Sequence, residues 1–229
     1  MRLTDSLDEQ ALLEEMLERS KPDFPADCEG LHYLLATPFR YAPYSLGSRF
    51  RRAGQPEGAF YAADSVATAV AEICFYRLLF FAEAPGTTMP NRPVEHTVFA
   101  VRCAADRCID LREPPFDRDR DIWRHPTAYA GCQDIADAAR SVDIRIIRYR
   151  SVRDPNAGGN CAVLVASAFA ERAPKNHQTW HIFPGAHAVR AWCENPHAAV
   201  EFRPDDFRND PRIVAAMPGA SAQLGQIFE

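Results

Sequence analysis

The residues that most constrain this chain run from Gly47 to Phe81, where a basic loop, a short apolar run and a long apolar segment follow one another directly. The loop holds Arg49, Arg51, Arg52 and Gly54. Ala59-Phe60-Tyr61-Ala62-Ala63 has the length of a buried strand. Asp64 and Ser65 then stand where an N-cap belongs. Val66, Ala69, Val70 and Ile73 follow at helical spacing and are expected to form the buried face of that helix. Between Ser65 and Phe81 the only acid is Glu72, and its helical neighbours Thr68, Ala69, Phe75 and Tyr76 include no base. A carboxylate placed like that is either solvated at the edge of the face or turned into a site. The local pattern favours the solvated reading, because buried glutamate is rare.

Composition narrows the class. A chain of 229 residues with 47% hydrophobic content reads as one large folded domain, or a domain with appendages. The net charge of −5 gives no overall basic field to attract nucleic acid. Seven cysteines are scattered without a C-x-x-C pair, which speaks against a zinc ribbon or thioredoxin-like site and for a reducing cytoplasm. The acidic N-terminus lacks the apolar core of a signal peptide, and no stretch has the length of a membrane span.

Along the chain, residues 4–20 have the spacing of an amphipathic helix that ends at Lys21-Pro22. In LLATPFRYAP, Arg40 and Tyr41 follow Pro38 in what reads as an extended segment. Strand candidates are HTVFAVR (96–102), Cys108 to Leu111, DIRIIRY (143–149), CAVLVASAF (161–169), TWHIFPG (179–185) and AVEFRP (199–204). A helix is expected from Thr127 to about Ser141, and Asp154 to Gly159 is turn chemistry in nearly every residue. CAVLVASAF, the most strand-like run, is expected at the centre of a sheet. Several strands with few helices read as α+β. The division is an N-terminal helical extension (1–30), a core (31–204) and a C-terminal tail (205–229).

In order, the Arg-bearing loop GSRFRRAG, the aromatic strand FYAAD, the Glu-bearing helix VATAVAE and, downstream, Ser151 in YRSVRDPNAGGN resemble the RES domain, named for Arg, Glu and Ser. The resemblance covers roughly residues 38–170, and the ParT-like toxins of Xre–RES toxin–antitoxin systems are similar. Two departures stand out: Arg51 replaces an Asn that often follows the Arg-aromatic pair, and Ala130 replaces a Ser before Gly131-Cys132-Gln133. The resemblance implies an ADP-ribosyltransferase-like core of two short packed β-sheets with surrounding helices, built around an NAD cleft. It implies NAD as the substrate, no metal, and an Xre-family helix-turn-helix antitoxin that covers the cleft and takes the contact with DNA. The implied reaction is transfer of ADP-ribose to a protein acceptor, of which phosphoribosyl pyrophosphate synthetase is one target type. Degradation of NAD with water or phosphate is the alternative, and a nucleotide-binding module without chemistry is a second.

Breaking the nicotinamide–ribose bond develops positive charge on the ribose, so a site needs a carboxylate, a hold on the ring and an anchor for the phosphates. On the resemblance, Glu72 is the catalytic carboxylate, Tyr61 stacks on the nicotinamide, and Arg49 grips phosphate oxygens. Arg40, Tyr41 and Ser151 complete the nucleotide contacts. Arg51 and Arg52 read as solvated loop charges, and Asn160 reads as a turn residue rather than a ligand. The histidines at 177, 181, 187 and 197 lack metal-ligand spacing, and neither Cys132 nor Cys161 sits in a triad context.

Overall fold

The computed structural model describes residues 6–40, 47–84, 86–185 and 187–216. In chain order its elements are α1 (Leu7–Arg19), α2 (Tyr33–Arg40), β1 (Phe60–Ala63), α3 (Val66–Glu83), β2 (Val94–Ala100), β3 (Cys108–Asp110), α4 (Arg120–Trp123) and α5 (Ala130–Ser141). They continue with β4 (Ile146–Arg150), β5 (Gly159–Val163), β6 (Lys175–Pro184), β7 (Val189–Cys193), β8 (Ala198–Phe202) and α6 (Pro211–Ala216). The fold is α+β, with two packed four-stranded sheets. One is mixed, in the order β1-β5-β4-β3, and the other is antiparallel, in the order β2-β6-β7-β8.

The first sheet has a different core on each face, as the two-residue period of a strand requires. Phe60, Val163 and Ile146 lie side by side on one face and join Leu35, Ala36 and Phe39 of α2. Tyr61, Ala162 and Ile147 lie on the other, and Ala162 and Ile147 pack with Phe50 and with Cys132, Ala136 and Ala139 of α5. The register also places Ala63, Asn160 and Tyr149 in one row on this second face.

The second sheet is covered by α3, whose Val70, Ala71, Cys74, Phe75 and Leu79 pack on Trp180, Ile182, Val189, Ala191 and Phe202. Of the four residues expected to form the buried face, only Val70 is buried. The helix is apolar nearly all round, so spacing alone did not specify the face. The side carrying Ala69, Glu72, Ile73 and Tyr76 looks into a cavity instead. Ser65 is the N-cap, its side chain accepting from the Thr68 backbone N–H at 3.2 Å.

Three local expectations need correction. The segment before Arg40 is a helix, α2, with Pro38 inside it rather than an extended run. Burial of Leu35, Ala36 and Phe39 outweighs the hydrogen bond that Pro38 cannot make. CAVLVASAF splits: β5 ends at Val163 and a short 3₁₀ turn, Ala166–Ala168, follows. β5 nonetheless lies inside its sheet, between β1 and β4. Strand β7, VRAWC, is absent from the expected strands. Farther on, the start of the segment read as a tail is packed, with Phe207 and Ile213 in the core around α3.

Candidate active site

A cavity of about 680 Å³ lies between the first sheet and α3, within the size range of small-molecule sites. Its walls come from the Gly47–Arg49 loop, Tyr61, Ala62 and Ala63 of β1, and Ala69, Glu72, Ile73 and Tyr76 of α3. Thr127 and Tyr129, Tyr149 of β4, Val152 and Arg153, Asn160 of β5 and Arg212 of α6 complete it.

The loop is a tight turn. Ser48 and Arg51 exchange backbone hydrogen bonds at 2.7 and 3.3 Å. Gly47, at φ +66°, leads in, and a Cβ there would lie 2.6 Å from the Arg51 carbonyl oxygen. Phe50 is fully buried, its ring 4.8 Å from that of Tyr149, which locks the residue after Arg49 into the core. From β1, the Tyr61 hydroxyl bonds Ser48 Oγ at 2.7 Å and accepts from the Phe50 N–H at 3.0 Å. Tyr61 as a whole remains 39% exposed.

Arg49 is thereby fixed with only 8% of its surface exposed. Its Nη1 donates to the carbonyls of Trp123 and His125 at 2.9 and 3.1 Å, and its guanidinium lies 4.7 Å from the centre of the Tyr129 ring. These partners are uncharged, so no carboxylate among the described residues neutralises it. Arg153, also buried, lies 4.1 Å from the Phe75 ring centre and donates to Asp210 at 2.6 Å. Arg212 makes three further hydrogen bonds to Asp210, two from its guanidinium at 2.8 and 3.0 Å and one from its backbone N–H at 3.0 Å. Three arginines against Glu72 and Asp210 leave the cavity one positive charge in excess, which suits an anionic ligand.

Glu72 is half-buried and held from one side. Its Oε1 accepts from Ser151 Oγ at 2.6 Å and from Asn160 Nδ2 at 2.7 Å. Ser151 is placed by its turn, where Oγ accepts from the N–H groups of Arg153 and Asp154 at 3.1 and 2.9 Å. Asp154 ties that turn to α3 by accepting from Thr68 Oγ1 at 2.8 Å. The approach is so close that a Cβ on Gly158 would lie 2.0 Å from Thr68 Oγ1. Burial raises the pKa of the Tyr61, Tyr76 and Tyr149 phenols, that of Tyr149 well above the ordinary value, so all three stay protonated around the carboxylate.

The structure brings Glu72, Arg49, Tyr61 and Ser151 into one place, the first three on the cavity wall and Ser151 behind Glu72. Arg40 is placed elsewhere: it donates to Glu18 and to the Pro22 carbonyl, both at 2.5 Å, and stacks on Phe24. Tyr41 lies outside the described residues. Arg51 is not a solvated charge but a buried one, donating to the carbonyls of Gln55 and Pro56 in its own loop. Arg52 pairs with Asp134 and Asp137 on α5. Asn160 is a buried strand residue, not a turn residue. Sequence reasoning missed Tyr76, Tyr129, Arg153 and Arg212. Tyr76 stands one turn after Glu72 and Arg153 two residues after Ser151, and those spacings were the available signals. Nothing local marks Arg212.

A cavity between the mixed sheet and α3, with one lining carboxylate and an arginine excess, defines an α+β protein with a pocket suited to an anionic ligand. Within it, the RES domain family model matches residues 25–183, and the chain belongs to that family. RES domains are linked to NAD-processing enzymes and to the toxin half of toxin–antitoxin pairs, and they imply NAD as a substrate. No curated protein matches the chain. Among the described residues no group of His, Cys, Asp and Glu could hold a metal ion, and no helix is long and apolar enough to cross a membrane.

Proposed function

We propose that the chain is a toxin that breaks the nicotinamide–ribose bond of NAD and passes the ADP-ribosyl group to a protein acceptor, of which phosphoribosyl pyrophosphate synthetase is one type. The observation that carries this is Glu72, a carboxylate fixed by two neutral donors on the wall of an arginine-rich cavity. Arg49, which has no carboxylate partner of its own, holds the pyrophosphate. The Tyr61 ring receives the nicotinamide. As the C1′–N bond breaks, its electron pair returns to the pyridinium nitrogen and nicotinamide leaves neutral. Positive charge then grows on the ribose, and Glu72 stabilises it. The acceptor attacks C1′ and gives up its proton to solvent. An Xre-type antitoxin would silence the toxin by covering the cavity mouth.

In a second reading water or phosphate takes the ADP-ribosyl group, and Val70 does not decide between the two. In some ADP-ribosyltransferases an acid two residues before the catalytic Glu selects the acceptor. Here that position is apolar and 1% exposed, turned into the core under α3 and away from any acceptor.

Both readings are tested by incubating the purified protein with NAD labelled in the adenine and nicotinamide halves. Nicotinamide release with label on protein supports transfer, and release with free ADP-ribose or its phosphate supports the second reading. Glu72→Gln should fold, bind NAD and turn it over at least about a hundredfold more slowly. A Glu72→Gln protein that consumes NAD at the parent rate removes the mechanism. Intact NAD after long incubation with the parent leaves a nucleotide-binding module.

A further inference from the structure

Asn160 is 4% exposed in the interior strand β5, in the same row as Tyr149 and Ala63. Its Nδ2 donates to Glu72 Oε1 at 2.7 Å across 88 positions of sequence, while its Oδ1 is buried with no hydrogen-bond partner. A buried acceptor left unpaired is costly. The opposite amide orientation would set two oxygens against each other at Glu72, so the carboxylate dictates which way the amide lies. Ser151 is constrained in a matching way. Its Oγ already accepts two backbone N–H groups, so its single hydrogen is directed to Glu72 Oε1 at 2.6 Å. Two donors fill the lone-pair directions of Oε1. Oε2 has no hydrogen-bond partner among the described residues.

We infer that Asn160 is a positioning residue: with Ser151 it immobilises Oε1 of Glu72 and leaves Oε2 as the oxygen offered to the substrate. The identity of that substrate as the ribose of NAD rests on the reading above. The positioning of the carboxylate does not, and it can be tested without turnover.

The test compares Asn160→Ala, Asn160→Asp and the reciprocal pair Asn160→Asp with Glu72→Gln, by thermal unfolding at pH 8. Asp keeps the shape of Asn but buries a charge, a cost that a space-filling role would also carry and that Glu72→Gln would leave in place. For a donor to Glu72, Asp also places a second carboxylate against the first, a cost that Glu72→Gln removes. Asn160→Asp should lower Tm by about 5 °C or more, further than Asn160→Ala. Adding Glu72→Gln should recover at least about half of that loss, since the new amide donates to the new carboxylate. An Asp variant more stable than the Ala variant, or no recovery in the double variant, overturns the proposal. In turnover, Asn160→Ala should lower kcat by roughly 30- to 100-fold with KM for NAD within about threefold, the scale of a misplaced catalytic group. A raised KM with kcat intact would show that Asn160 binds substrate instead and would equally overturn it. Should the parent release no nicotinamide, the NAD reading falls, and the unfolding series still decides the role of Asn160.

Discussion

Arg153 and Asp210 are 57 positions apart in the sequence and 2.6 Å apart in space, and neither side chain reaches solvent beyond 2%. One carboxylate serves two guanidinium groups, because Arg212 binds the same Asp210. The pair joins the Ser151 turn to α6, so the floor of the cavity and the last described helix are held by one charge.

Asp210→Asn keeps the shape and removes that charge. It leaves Arg153 buried and unpaired, a situation that costs about 3–5 kcal/mol. Denaturant unfolding of the variant should show a loss of that size with little change in slope. A loss under about 1 kcal/mol would mean that Arg153 finds its stabilisation in the Phe75 ring and the Pro126 carbonyl instead.

The same network sets a pH dependence. Burial pushes the Asp210 carboxyl up, but hydrogen bonds from the Arg212 side chain and backbone and the charges of Arg153 and Arg212 outweigh it and hold the group below 3.8. Asp110 is held below 3.8 chiefly by hydrogen bonds from Arg112, against a smaller effect of burial. Both carboxyls bind protons less readily folded than unfolded. Their stabilisation is therefore complete above the unfolded value and is lost as pH falls through the lower folded values. Chemical denaturation should show stability level from about pH 5 to 7 and declining below about pH 4. In Asp210→Asn the acid decline should be shallower.

Arg49→Lys preserves a positive charge but not the fork that spans the Trp123 and His125 carbonyls while stacking on Tyr129. NAD turnover should fall by at least about tenfold, with the larger change in KM. Parent-like KM in the Lys variant would reduce Arg49 to a point charge.

Tyr61→Phe separates stacking from anchoring. The ring alone would be enough for stacking, yet the hydroxyl also holds Ser48 and the Phe50 N–H on either side of Arg49. We therefore expect a several-fold rise in KM for Tyr61→Phe and a much larger loss for Tyr61→Ala. If Phe matches the parent, the loop is held by Phe50 and Gln133 without help from the hydroxyl.

Much of this was legible because the signals are local. A polar N-cap before an apolar run marks the start of α3 at Ser65, and the Gly-rich turn after Asp154 marks the reversal into β5. The order of Arg49, Tyr61, Glu72 and Ser151 carried the family. What stayed hidden depends on contacts between distant parts of the chain. The rotation of α3 is set by the second sheet, since the helix is apolar on both sides. Arg153, Arg212 and Asn160 look like a surface charge, a tail charge and a turn amide until the partners that bury them are known. Pro38 misled for the opposite reason: its local preference is strong, and packing of Leu35 and Phe39 overrode it.

The family pattern stops at Phe183, one residue before β6 ends. Beyond it lie β7 and β8, which complete the second sheet, and Phe207 and Ile213, which close the core over α3. The stretch that the family model matches is thus shorter than the stretch that packs around α3. A gene fragment cut to the pattern would leave β6 as a bare edge, strip Phe75 of its cover and deprive Arg153 of its counter-charge. Such a fragment should collect in inclusion bodies, whereas one running through residue 216 should be recovered in the supernatant. Any graft of this cavity onto another carrier has to bring the later strands along.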